Sequence, residues 1–246
     1  MDQILGIDVG ASGIKGALVD LKKGKLSGER FRVPTPQPAT PEAMAEAFAE
    51  IVRYFNYSGP IGCGFPSIVK NGVCLSAANI DQAWIGTNIE EVFGKASGCR
   101  VYATNDADAA GIAEMRHGVG QGENGLVFLI TIGSGLGSAL FYKGMMVPNT
   151  ELGHLLWTNN KVAEQWCSSG ARERLKIGRK EWARRFNEYL HHLERLFTPD
   201  LIILGGGESK FFDQYQQFFD VKARVIPAQL LNNAGIIGAA AYAAEQ

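Results

Sequence analysis

Cysteine is scarce in this chain and poorly placed for chemistry. The four thiols, Cys63, Cys74, Cys99 and Cys167, stand singly and form no C-x-x-C pair. Neither a disulfide framework nor a zinc site is signalled, and a reducing cytoplasm is the expected compartment. Net charge is also lacking: 24 Lys and Arg stand against 25 Asp and Glu, giving −1 at neutral pH. That argues against a chain that binds nucleic acid as a whole. No apolar run approaches the ~20 residues needed to span a bilayer, so no membrane partner is expected. The opening Met1-Asp2-Gln3-Ile4-Leu5-Gly6-Ile7-Asp8 lacks a charged start and a long apolar stretch, and reads as a strand rather than a signal peptide. Neither a G-x-G-x-x-G fingerprint nor a P-loop pattern is present, so those two nucleotide-binding readings fail. What remains is an ordered, globular composition, 46% hydrophobic and 20% charged over 246 residues. That length suits one large domain or two modest ones.

The order of elements reads as α/β. Residues 4–9 form a buried strand, Gly10-Ala11-Ser12-Gly13 a turn and residues 14–19 a second strand. Lys22-Lys23-Gly24-Lys25 turns the chain into a third strand reaching about Val33. The proline-rich stretch 34–38 excludes helix, after which Thr40-Pro41 is an N-cap followed by proline at the first helical position. Met44, Phe48, Ile51, Val52 and Phe55 line one face of that helix. The design then returns, with a strand over 126–131, the turn Gly133-Ser134-Gly135-Leu136-Gly137, a strand over 138–142 and the turn Lys143-Gly144. Two copies of one unit suggest two related lobes, each offering a glycine turn to a shared cleft. Further on, Trp182, Phe186, Tyr189, Leu190, Leu193 and Phe197 stripe a helix over 181–197. Leu201-Ile202-Ile203-Leu204 is a buried strand ending in Gly205-Gly206-Gly207, and residues 234–244 are an alanine-rich helix suited to close packing. No low-complexity linker separates the lobes. The expected division is an N-terminal lobe over 1–104, joined by the C-terminal helix 234–246, and a larger lobe over 105–233.

Three glycine-rich turns each follow an apolar strand. Glycine lets backbone N–H groups converge on an anion, and Ser12 or Ser134 adds a hydroxyl donor. One such turn is an ordinary hairpin, whereas three in one chain point to phosphate. Asp8, beside the first turn, either holds Mg²⁺ through water and shares it with phosphates, or stabilises the turn. Lys15 reaches a phosphate or is a solvated strand lysine. Asp106 sits where a strand runs into a helix. It either caps that helix or accepts a hydroxyl proton. The helix dipole lowers its pKa, which phosphoryl transfer tolerates because the hydroxyl becomes acidic only as the new P–O bond forms. Spacing does not choose between Asp106 and Asp108. Glu151 and His154 form a pair that suits sugar hydroxyls, half a metal site or a local structural contact. Asn79 and Asn88, flanking Asp81 and Trp84, are sugar ligands or loop formers. Between Arg172 and Arg185 lie seven cations opposed only by Glu173 and Glu181. Arg172, Lys176, Lys180 and Arg184 recur at i, i+4, which makes either a solvated helix face or a track for a polyanion, with Gly178 as a break point.

Taken in order, these segments resemble the ROK family of sugar kinases. The resemblance spans almost the whole chain. Within the family it is nearest to the bacterial polyphosphate glucokinases. It is carried by Gly6-Ile7-Asp8-Val9-Gly10 with Ser12-Gly13-Ile14-Lys15-Gly16, by Thr35-Pro36-Gln37-Pro38-Ala39-Thr40-Pro41, and by the stretch from Ala78-Asn79 to Asn88. Asn105-Asp106-Ala107-Asp108-Ala109-Ala110-Gly111, Pro148-Asn149-Thr150-Glu151 with Gly153-His154, and Pro199-Asp200-Leu201 running into Gly205-Gly206-Gly207 complete the series.

The resemblance implies the actin-like ATPase (ribonuclease H-like) fold, with two lobes around a central cleft. It implies transfer of a phosphoryl group to the 6-hydroxyl of glucose, from inorganic polyphosphate and also from ATP. Asp106 would be the base, and Asn79, Asn105, Glu151, His154 and Glu164 would hold the sugar. Asp8, Gly10, Ser12, Gly13 and Lys15, with Thr131, Gly133, Ser134 and Gly135, would bind phosphates and, through water at Asp8, Mg²⁺. Gly205, Gly206 and Gly207 would lie where ATP-using relatives place the nucleotide. The track read from the spacing of Arg172, Lys176, Lys180 and Arg184, rather than from the resemblance, would then carry polyphosphate. A cytoplasmic homodimer is also implied. Three departures stand out. The cysteine-rich zinc motif of most ROK kinases is missing, as it is from the polyphosphate branch. Ala11 replaces a usual glycine, which is strained if that position needs positive φ. The stretch 156–180 diverges. Two alternatives follow: an ATP-dependent ROK kinase for another hexose such as mannose, or a non-catalytic sugar-sensing ROK protein motivated by Ala11. Against the second stands a first strand beginning near Ile4, with no preceding helix-turn-helix.

Overall fold

The computed structural model describes residues 3–246, apart from the side chain of Asn159; Met1 and Asp2 lie outside the described residues. Contacts divide the chain into two units, Met1–His117 with Asn233–Gln246, and Gly118–Asn232. The first unit opens with strands β1 (Gln3–Gly10), β2 (Gly13–Asp20), β3 (Lys25–Leu26) and β4 (Phe31–Val33). Helix α1 (Pro41–Tyr54), β5 (Ile61–Phe65), β6 (Val69–Lys70), β7 (Val73–Cys74), α2 (Ile89–Ser97), β8 (Val101–Asn105) and α3 (Asp106–His117) follow. The second unit is built from β9 (Leu126–Ile132), β10 (Leu136–Tyr142), β11 (Met145–Val147), α4 (Ala163–Cys167), α5 (Ser169–Arg174), α6 (Arg179–Phe197), β12 (Leu201–Gly206) and β13 (Arg224–Pro227). The chain then returns to the first unit with α7 (Ala234–Ala243).

Each unit carries one mixed sheet, and the two begin alike. In the first, β1 pairs antiparallel with β2 and parallel with β5, and β5 pairs parallel with β8. In the second, β9 pairs antiparallel with β10 and parallel with β12, and β12 pairs parallel with β13. Each opening hairpin therefore places a glycine-containing turn at the end of a strand whose other edge is buried in the sheet. The stretch expected as one third strand is two short ones, β3 and β4, both paired to β2.

Alternation along β1 gives it two different faces. Leu5, Ile7 and Val9 point into a core shared with Phe48, Ile51, Phe65, Trp84 and Phe93. Gly6, on the opposite face, meets α7: a Cβ there would collide with the carbonyl of Ile236, and one at Gly62 with that of Ala239. A Cβ at Gly238 would in turn collide with the carbonyl of Ala109 on α3. Three glycines thus let α7 lie backbone to backbone against β1, β5 and α3. This packing is why α3 belongs to the first unit and the contact boundary falls between His117 and Gly118 rather than after Thr104. In the second unit the core gathers Phe128, Ile130, Trp182, Phe186, Tyr189 and Leu204 beneath α6. Among the described residues no helix is long and apolar enough to cross a membrane.

Candidate active site

In the first unit the junction of β8 and α3 gives the two carboxylates of the Asn-Asp-Ala segment different surroundings. Asn105 caps the helix: its Oδ1 accepts from the amides of Ala107 at 2.8 Å and Asp108 at 3.1 Å. Its Nδ2 donates to the Ser67 carbonyl at 3.0 Å, fastening the junction to the loop after β5. Asp106, the first residue of α3, is half-buried, with its Oδ1 2.8 Å from the amide of Ala107. Asp108 is fully buried. Of the two carboxylates, only Asp106 reaches the surface.

The stretch from Asn79 to Asn88 is also sorted by its partners. Asp81 accepts from the Ala83 amide at 2.8 Å, and Asn88 caps α2 by accepting from Glu91 at 3.2 Å. Trp84 is buried, with its indole N–H donating to Ala39 at 3.0 Å. These residues hold the loop, and Asn79 is left exposed.

Asp8 faces Lys15 across the β1–β2 pair, with Nζ 3.7 Å from the carboxylate. Burial pushes the Asp8 carboxyl above its ordinary range, and the Lys15 charge partly offsets that. Gly235, at the start of α7, also abuts it: a Cβ there would lie 2.9 Å from Asp8 Cγ. The turn after β1 is braced by two residues without a local sequence cue. Arg32 Nη2 donates to the Ser12 carbonyl at 2.6 Å, and Thr35 Oγ1 donates to that of Gly10 at 2.5 Å. Ala11 is not among the non-glycine residues with positive φ. Its methyl therefore imposes no left-handed strain, and the physical motive for a disabled phosphate site disappears. Among the described residues no three His, Cys, Asp or Glu side chains cluster to hold a metal by themselves. The donor set at Asp8 fits an ion that arrives with phosphates and keeps most of its water, as Mg²⁺ does.

In the second unit His154 lies between two carboxylates, 3.8 Å from Glu151 and 3.8 Å from Glu164. Glu164, on α4, thus joins a pair from which it is distant in sequence. Ser138 on β10 anchors the loop that carries Glu151: its Oγ donates to the Thr150 carbonyl and accepts from the Leu152 amide at 2.9 Å. Gly153 is required because a Cβ would strike the carbonyl of Leu136. Burial raises the Glu151 pKa, nearby His154 lowers it, and the Glu164 charge raises it again.

The turn over 133–135 is held from α4 and α5. Glu164 Oε2 accepts from the Leu136 amide at 3.3 Å, Ser168 Oγ donates to the Ser134 carbonyl at 3.0 Å, and Gly170 N donates to Gly133 at 3.1 Å. Thr131 lies at the end of β9, paired to Gly205, which places this turn and Gly205-Gly206-Gly207 on adjacent strands. The even cation spacing does not survive. The chain breaks between α5 and α6, with Lys176 at φ 52°. Arg172 on α5 and Lys180 and Arg184 on α6 are therefore not on one helical face. Arg172 instead pairs with Glu208, which the sequence reading passed over; the one available cue was a cation cluster with too few local counter-charges. Elsewhere in this unit, a groove of about 580 Å³ is lined by His191, Glu194, Asp200 and Lys222, and none of the candidate sugar or phosphate ligands lines it.

The fold and these residue sets define a sugar kinase of the ROK type: the ROK family model matches residues 4–175, and the chain belongs to that family. The polyphosphate glucokinase of Mycobacterium tuberculosis is 46% identical over 236 residues, covering 96% of this chain and 89% of that protein. The crystal structure of the inorganic polyphosphate/ATP-glucomannokinase of Arthrobacter sp. strain KM superposes with a TM-score of 0.95 at 47% identity, covering all of both chains. A ROK family glucokinase from Streptomyces griseus, solved with glucose and AMPPNP, gives 0.82 at 25% identity over 99% of this chain and all of that one. The two mixed sheets are the two lobes of the actin-like fold.

Proposed function

We propose that this protein is a glucokinase that moves a phosphoryl group from inorganic polyphosphate, or from ATP, to the 6-hydroxyl of glucose. The observation that carries the reading is the contrast in exposure at the β8–α3 junction: Asp106, at the first position of α3, reaches the surface, whereas Asp108 is fully buried. Near full-length similarity to polyphosphate glucokinases supports the choice of substrates.

In this reading the glucose O6 attacks the terminal phosphorus. The O6–P bond forms, the P–O bond to the rest of the donor breaks, and the hydroxyl proton passes to the Asp106 carboxylate. Asn79 and the remaining N–H of Asn105 orient the sugar from the first unit. Glu151, His154 and Glu164 are its ligands in the second. Backbone amides at Gly10, Ser12 and Gly13, with Lys15, meet the donor's charge, as do Thr131 and the turn over 133–135. Gly205, Gly206 and Gly207 receive the part of the donor that leaves, nucleotide or polyphosphate. Magnesium, held through water by Asp8 together with the phosphates, supplies charge neutralisation when bound. A cytoplasmic homodimer is part of the same proposal.

A coupled assay for glucose 6-phosphate tests the reading, with polyphosphate and ATP as separate donors. Turnover with polyphosphate is expected; none with either donor overturns the assignment. A second substrate is favoured by the full-length match to a glucomannokinase. Mannose is expected to be phosphorylated too, and its rejection at saturating concentration would restrict the enzyme to glucose.

A further inference from the structure

Glu208 directly follows the Gly205-Gly206-Gly207 turn, and its side chain is 5% exposed. Its two oxygens are divided between two arginines: Arg172 Nη2 donates to Oε1 at 2.8 Å and Arg179 Nε to Oε2 at 3.2 Å. Ser169 Oγ donates to Oε1 at 3.1 Å. Arg179 is further fixed by Gln214, 2.6 Å from its Nη1, and by the Phe211 ring, 4.1 Å from its guanidinium carbon. One carboxylate therefore holds two guanidiniums together and cancels only one of their charges. The arginine side chains are 22% and 25% exposed, so neither is closed off from solvent. The same assembly reaches the other glycine turn of this unit. Gly170 and Ser168, on either side of Ser169, bond the carbonyls of Gly133 and Ser134, and a Cβ at Gly170 would strike Ser134.

We infer that Arg172 and Arg179, gathered by Glu208, form an oligophosphate subsite that grips phosphates of the polyphosphate donor other than the one transferred. Glu208 is the positioning residue of this subsite. Two arginines on one carboxylate leave a net positive charge beside the Gly205-Gly206-Gly207 turn, which favours an anion there. Guanidinium edges match phosphate oxygens in pairs, and a chain of phosphates supplies such oxygens at regular intervals. The subsite replaces the single-face helical track, which the break after α5 removes. The inference rests on the polyphosphate-using reading above.

The test is steady-state kinetics of Arg172→Gln, Arg179→Gln, their Lys counterparts and Glu208→Asp, over a range of salt concentrations. Each Gln variant is expected to raise KM for polyphosphate about tenfold and leave KM for glucose within about twofold. The slope of log KM against log salt is expected to fall by about one per arginine removed, as counterion release requires. The Lys variants keep the slope. Glu208→Asp keeps the charge but is too short to span both arginines; it is expected to raise KM for polyphosphate without altering the slope. An unchanged slope in both Gln variants overturns the subsite, as does an equal rise in both KM values. Absence of polyphosphate turnover in the unaltered enzyme would sink the donor assignment itself, an outcome distinct from either.

Discussion

Asn105 donates its side-chain N–H to the carbonyl of Ser67 at 3.0 Å, tying the first turn of α3 to the loop that follows β5. With two helix amides on its Oδ1, this one amide fixes where Asp106 stands. The two residues should separate cleanly in mutagenesis. Asp106→Ala is expected to bind glucose but to lose about 10²–10⁴ in kcat, the usual worth of a positioned base. Asn105→Ala loses the cap and leaves the Ser67 carbonyl unpaired, costing about 1–3 kcal/mol in stability as well as turnover. Asn105→Asp, which can still cap, is expected to recover part of the stability. Calorimetric glucose binding with kcat for each variant checks the pair; near-normal kcat in Asp106→Ala refutes the base.

Glu151, His154 and Glu164 predict a pH response with a definite sign. Burial holds the Glu151 carboxyl above its ordinary pKa, the nearby His154 opposes that, and the Glu164 charge reinforces it. The ionised form accepts hydrogen bonds from sugar hydroxyls, so kcat/KM for glucose falls as pH drops through the raised pKa. Glu164→Gln removes a like charge, lowers the Glu151 pKa and moves the acid limb to lower pH. His154→Gln removes the stabilising neighbour and moves it to higher pH. The limb is read on kcat/KM for glucose at saturating donor, because Asp8 is also raised. Shifts in the same direction for both variants would break the assignment.

Much of this site is legible in sequence because its parts are local. The glycine turns sit at strand ends, Asp106 at a strand-to-helix junction, and Glu151 three residues from His154. What sequence does not carry is the third dimension of the support. Arg32 reaches Ser12 from a strand two turns later, and Glu208 gathers arginines from two helices. Neither has a periodic or spacing signature, since a charge partner is chosen by tertiary approach rather than by offset. The cation spacing from Arg172 to Arg184 misleads for the same reason: i, i+4 describes one helix, and the chain makes two. The division of contacts after α3 has no local cue either, because it depends on α7 packing against that helix.

That capture depends on glycine at the crossing of α3 and α7. Gly238 has helical backbone, so its role is close approach rather than conformational freedom: a Cβ would overlap the Ala109 carbonyl. Backbone cannot yield as a side chain tip does. Gly238→Ala is therefore expected to cost about 3 kcal/mol or more, at or above the upper end of ordinary overpacking. Ala241→Gly, on the same helix, is expected to cost less, about 2 kcal/mol, from propensity and the loss of one buried methyl. Chemical denaturation of the two variants measures the difference, and equal destabilisation would remove the crossing from the account.

Gly235 poses a subtler case, because its obstacle is a functional side chain. A Cβ there would stand 2.9 Å from both Cγ and Oδ1 of Asp8, close enough to force the carboxylate aside but not to block folding. Lys15 Nζ lies 3.7 Å from the second carboxylate oxygen, Oδ2, so turning the carboxylate also disturbs that pair. Misplacing a charge-handling group by a fraction of an ångström to an ångström costs on the order of 10–100-fold in rate. Gly235→Ala is expected to lower kcat by that factor while KM for glucose stays near its original value. If Asp8 works through a metal, raising the magnesium concentration should recover part of the lost rate. Measuring kcat across a magnesium titration, beside the melting temperature, decides the point: a lower melting temperature with unchanged kcat would make Gly235 a packing residue and nothing more.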